Sequence, residues 1–161
     1  MNGSDLRVSV TRGAVYANHM PQRIDPSLDY QWQDQGLQTF RMILVPHAGS
    51  WRDANIVRQA EELVAPPLVV YQGIHAGSWP QSNSFLSVDA PDVVVSAIKL
   101  AEEGEGVIVR FYETDGMETT ANLDLHFANV RWSGKLHPFE IKTLRIDPHS
   151  KKVEEVNILE R

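Results

Sequence analysis

The chain has 161 residues, no cysteine, and 21 acidic against 15 basic side chains, for a net charge of −6. The missing cysteines exclude disulfides, thiol catalysis and every cysteine-ligated zinc or iron–sulfur site, and the acidic balance argues against nucleic acid as a partner. The length suits one ordinary domain or two small ones, and no apolar run approaches the ~20 residues that span a bilayer.

The start of the chain, Met1 to Asp5, is polar and lacks a signal-peptide pattern, so a cytoplasmic location is expected. Leu6, Val8 and Val10 then alternate with Arg7, Ser9 and Thr11, which predicts a strand with one buried face. Phe40, Met42 and Leu44 predict another, ended by Pro46. Between Ser50 and Val64, the residues Ile56, Val57, Ala60, Leu63 and Val64 recur at helical spacing. Asp53 is the expected N-cap of that helix and Pro66 its stop. The Pro66-Pro67 pair sets the expected division into residues 1–66 and 67–161.

Beyond it the signals are nearly all strand. Leu68 to Tyr71 is a short apolar candidate, and Phe85, Ser87 and Asp89 alternate weakly. Val93 to Leu100 is apolar and β-branched at most positions, which predicts a strand buried on both faces. Gly104-Glu105-Gly106 turns it into Val107 to Tyr112, a hairpin. Asp115-Gly116 makes the next turn. Thr119 to Phe127 places Ala121, Leu123, Leu125 and Phe127 on one face, with His126 on the polar one. A run from Phe139 to Ile146, the turn Asp147-Pro148 and a run from Val153 to Leu159 complete the series. The expected fold class is all-β, an antiparallel β-sandwich with one short helix.

One short repeat stands out. His-Ala-Gly-Ser-Trp occurs at His47 to Trp51 and again at His75 to Trp79, with unlike flanks and no longer period behind it. His47 and His75 are the one histidine pair with a shared context, although a loop histidine bonding to backbone has the same appearance. Trp32, Trp51, Trp79 and Trp132 fall in or beside predicted loops, where an indole is a platform for a sugar ring or a cover for the open end of a sandwich. Asp34, before Gln35-Gly36, is a polar contact or the cap of its own turn. No zinc-hydrolase spacing, nucleophile elbow or phosphate-cradling glycine run occurs.

These segments carry a resemblance. Ser84 to Val88, Val93 to Ile98, Ala101 to Glu113 and Pro138 to Leu144 resemble the carboxy-terminal region of glycoside hydrolase family 38 α-mannosidases. Asp34-Gln35-Gly36, Phe40 and Pro46 to Arg52 are similar to the same family's Asp-x-Gly, Phe and Pro-His-x-Gly-x-Trp pattern, so the likeness runs from about Leu6 to Ile146. It implies that residues 1–66 are closing strands of a large β-sandwich and residues 67–161 a small terminal one. It also implies Glu102 to Gly106 as a hairpin turn, Phe139 and Ile141 in the core of a late strand, and Glu140 and Lys142 on that strand's other face.

The family's nucleophile, acid/base carboxylate and zinc belong to an amino-terminal domain, and none of those positions has a counterpart here. The chain alone is therefore expected to be inactive and to hold no cofactor, with zinc in the domain it lacks. Its expected partners are the remainder of such an enzyme, a glycan, and a second copy meeting it through exposed β edges; neither nucleic acid nor a membrane is expected. Asp34, His47, Trp51, Arg52, His75 and Trp79 are the candidate sugar or interdomain contacts. A stand-alone carbohydrate-binding domain, or a structural domain with no ligand, is the alternative.

Overall fold

A computed structural model describes residues 7–14 and 25–161. The polar start Met1 to Asp5, the first strand residue Leu6 and His19 lie outside the described residues. The chain divides into two compact units, residues 1–46 and 47–161.

In the first unit, the described residues form turns and extended chain without a regular helix or sheet strand. Asp25 accepts the backbone N–H of Ser27 at 2.9 Å and its hydroxyl at 2.7 Å, closing a turn. Gln33 N–H donates to the Ala14 carbonyl at 2.8 Å. The strands expected at residues 6–10 and 40–44 are therefore not formed among the described residues, and Val8, Val10, Phe40, Met42 and Leu44 are exposed. Alternation prepares a strand, but only hydrogen bonds to a neighbour make one.

The second unit holds one helix and all the strands among the described residues. Helix α1 spans Ile56–Val64. Its N-cap is Asn55, in a left-handed conformation with φ 51° and no side-chain cap bond. Asp53, the expected cap, is engaged with Ser50 instead. Three bonds tie the helix to the strand region. Arg58 Nη2 donates to the carbonyls of Pro91 and Val93 at 3.3 and 3.1 Å. The Tyr112 hydroxyl donates to Glu61 Oε1 at 2.9 Å. α1 belongs to the same compact unit as the strands.

The strands form two antiparallel sheets. One has the order β1-β4-β5, with β1 Ser87–Val88, β4 Thr119–Leu125 and β5 Val130–Leu136. The other has the order β2-β3-β6-β7, with β2 Val93–Leu100, β3 Val107–Glu113, β6 Ile141–Ile146 and β7 Val153–Val156. The expected all-β antiparallel sandwich with a single short helix is the fold. Val93, Val109, Phe111, Leu123, Leu125, Leu136, Leu144 and Ile146 are buried together between the sheets. Phe111 meets Trp132 edge-on at 5.2 Å between ring centroids.

The hairpin forms where expected, with Leu100 opposite Val107 and Gly104 and Gly106 at φ 72° and 127°. Four other expectations are corrected. Leu68 to Tyr71 pairs with no strand among the described residues and is between 66% and 95% exposed. β2 is buried on both faces only at Val93 and Val94; it is an edge strand whose register shifts between Val95 and Ala97, and Ile98 and Leu100 are exposed. Trp132 lies within β5, packed on the core.

Phe139 and Ile141 are exposed rather than core. On β6 the core parity belongs to Leu144 and Ile146, opposite Val109 and Val107, so the odd-numbered Ile141 faces the other way. Phe139 sits at φ 57° in the turn before β6, and Lys142 turns inward to meet Glu140 and Glu155 at 3.1 and 2.7 Å.

Candidate functional site

The loop from His47 to Asp53 has a fixed shape. Asp53 Oδ2 accepts the backbone N–H and the hydroxyl of Ser50, both at 2.8 Å. Those bonds, the Ser50 backbone first, hold its carboxyl below the usual aspartate range; the His47 and Arg52 charges act in the same direction. Gly49, at φ 81°, passes so close to this carboxylate that a Cβ would come within 2.7 Å of Oδ2, so a side chain at this position would clash.

The ring so formed presents Trp51 and Arg52. The guanidinium lies over the Trp51 ring, 4.4 Å from its centroid, and Nε donates to the Asp115 carbonyl at 2.7 Å. Trp51 is 38% exposed.

Asp115 is positioned by a carboxylate absent from the sequence-based candidates. Glu113, at the end of β3 and 1% exposed, accepts the backbone N–H of Asp115 at 2.6 Å and of Gly116 and Phe139 at 2.8 Å each. Burial alone would raise its pKa, but these donors and the Met117 N–H outweigh burial and hold the carboxyl below the usual glutamate range. One buried carboxylate thereby joins the turn after β3 to the turn before β6. The Phe139 ring covers Gly116, where a Cβ would come within 2.5 Å of it. The sequence carried a signal: Glu113 continues the inward parity of Val109 and Phe111 and precedes Asp115-Gly116, so a charge was aimed at the core with a turn beside it.

The other candidates stand apart. In the second His-Ala-Gly-Ser-Trp copy, His75 Nδ1 faces the Ala76 carbonyl at 3.1 Å and Nε2 faces Gln72 Oε1 at 2.8 Å. Trp79, 67% exposed, packs at 46° on Phe85 with centroids 5.6 Å apart. The two copies therefore differ in structure despite five identical residues, and among the described residues no ring contact joins Trp51 to Trp79. Asp34 belongs to the first unit, at φ 57° in a turn, with its carbonyl accepting Gln38 Nε2 at 3.4 Å. Among the described residues no group of three or more His, Asp or Glu side chains is arranged to hold a metal ion.

Residues 92–134, which begin just before β2 and end within β5, match the family model of the glycosyl hydrolases family 38 C-terminal beta sandwich domain. Over β2 to β5 the antiparallel strands therefore coincide with a stretch similar to that domain. Among curated proteins the chain is similar to Alpha-mannosidase G of Dictyostelium discoideum, 27% identical over an alignment of 141 positions that covers 70% of this chain and 12% of that protein. It is similar to Alpha-mannosidase 2C1 of Homo sapiens, 33% identical over 97 residues, 57% of this chain and 9% of the relative. The corresponding Mus musculus protein is 33% identical over 87 residues, 52% of this chain and 8% of the relative. The chain thus spans about a tenth of the length of the curated relatives it matches. No solved structure matches it.

Proposed function

We propose that the chain is the non-catalytic carboxy-terminal β-region of an α-mannosidase. Retaining, zinc-dependent hydrolysis of α-mannosides would belong to a domain outside it, and its partner is the remainder of that enzyme. The observation that carries this reading is the family match across the hairpin and the two strands after it. The extended apolar stretches with no strand partner among the described residues, among them Leu68 to Tyr71, are compatible with it.

The test is hydrolysis of an aryl α-mannoside by this chain alone, with and without added zinc. No turnover above the blank is expected, and a rate that scales with protein concentration would overturn the reading. A stand-alone carbohydrate-binding domain is favoured by one observation, the exposed Trp79 ring. Binding of mannose-containing glycans that is lost in both Trp51→Ala and Trp79→Ala would establish it in place of the enzyme-region reading.

A further inference from the structure

We infer that Arg52 is the anchor of a carboxylate-binding site on the loop His47–Asp53, stacked on Trp51 and braced from beneath by Glu113. Two contacts hold the guanidinium: its Cζ lies over the Trp51 ring, 4.4 Å from the centroid, and Nε donates to the Asp115 carbonyl at 2.7 Å. Among the described residues Nη1 and Nη2 have no hydrogen-bond partner. A free arginine loses side-chain entropy when it captures an anion. Here that ordering is already done, because the carbonyl Arg52 holds belongs to a turn fixed by the buried Glu113 carboxylate. What remains open is the end-on edge of the fork, two parallel N–H donors matched to two oxygens in one plane.

The surroundings select the kind of anion. Asp53 lies within electrostatic reach of Arg52, and the chain as a whole carries −6. The acidic surroundings disfavour a high negative charge on the ligand, and the fork geometry suits the two coplanar oxygens of a carboxylate. A planar carboxylate can also pair with both Nη groups in the guanidinium plane. The site draws on the loop that the repeat marks in the sequence. It does not depend on the mannosidase reading, since neither the fork nor its bracing involves a glycoside.

The ligand class is a carboxylate, carried either by an acidic side chain of a polypeptide or by a sugar acid. The intact ¹⁵N-labelled chain is titrated while the Arg52 Nε–H and Trp51 Nε1–H resonances are followed. The probes are N-acetyl-aspartate methylamide, the methyl glycoside of glucuronic acid, inorganic phosphate and methyl α-mannoside. At least one of the two carboxylates is expected to shift both resonances saturably, with half-saturation below about 10 mM. The tighter of the two identifies the source. Saturation is expected to disappear in Arg52→Gln and to weaken at least about fivefold in Arg52→Lys, which keeps the charge and loses the fork. An unmoved Trp132 indole resonance shows that the sandwich is intact in each variant. The inference is overturned if neither carboxylate saturates, if Arg52→Gln still binds, or if phosphate or methyl α-mannoside binds as tightly as the better carboxylate.

Discussion

Leu68 to Tyr71 and β3, Val107–Glu113, are nearly interchangeable in composition. Both draw mainly on branched aliphatic and aromatic residues with strong strand preference, β3 adding Arg110 and Glu113. The first is exposed along its whole length, whereas Val109 and Phe111 of the second are completely buried. The difference lies in the neighbours. β3 is paired on both sides, by β2 and β6, while Leu68 to Tyr71 comes after two prolines and meets no strand. A run of this composition is therefore a demand for partners that the rest of the chain must meet. In β3 the demand is met within 50 residues of sequence; in the earlier stretch it is left open.

The contrast can be broken most severely at Phe111. Phe111→Ala removes a buried ring and its edge contact with Trp132, and a loss of about 3–5 kcal/mol is expected in urea denaturation. Next is Glu113→Gln, which replaces a buried acceptor of several N–H groups by an amide that presents its own donors; a loss of about 2 kcal/mol is expected at pH 7.

Its pH dependence fixes the sign. The native carboxyl titrates below its unfolded value, so its contribution is fully present above the ordinary glutamate range and is lost as pH falls through the native pKa. The stability gap between the natural chain and Glu113→Gln should accordingly narrow on acidification. A gap that widens would mean that Glu113 is not held as a carboxylate.

Asp53→Ala opens the turn onto Ser50 and is expected to lower the midpoint of urea denaturation slightly, with the helical signal of α1 in circular dichroism unchanged because Asp53 does not cap it. The smallest effect falls on the other side of the comparison. Val70→Thr, in the exposed run, is expected to change the stability by less than about 0.5 kcal/mol in the same denaturation. A loss comparable to that of a core position would show that the stretch is covered in solution.

The legible part of the fold was the part whose partners are near in sequence. The β2–β3 hairpin could be read because Gly104 and Gly106 lie between two apolar runs, and β4 because Ala121, Leu123 and Leu125 alternate without interruption. Phe139 and Ile141 misled because a two-residue period has two possible phases. Leu144 and Ile146, paired with Val109 and Val107, choose the other one. Of the site, the loop was visible through its repeat, but its role was not. The two copies are identical from His to Trp, and only the first is continued by Arg52 and Asp53, which turn it into a braced loop.

By itself, then, the sequence determined the all-β class, the hairpin, the turn glycines and the likeness to family 38, because each is written in local spacing or in residue order. The tertiary structure alone decided which alternating runs became strands, which phase of β6 faces the core, and that Glu113 reaches across two turns to set the carbonyl that Arg52 holds. Those outcomes depend on hydrogen bonds and contacts between residues far apart in the chain, whose energies no local pattern contains.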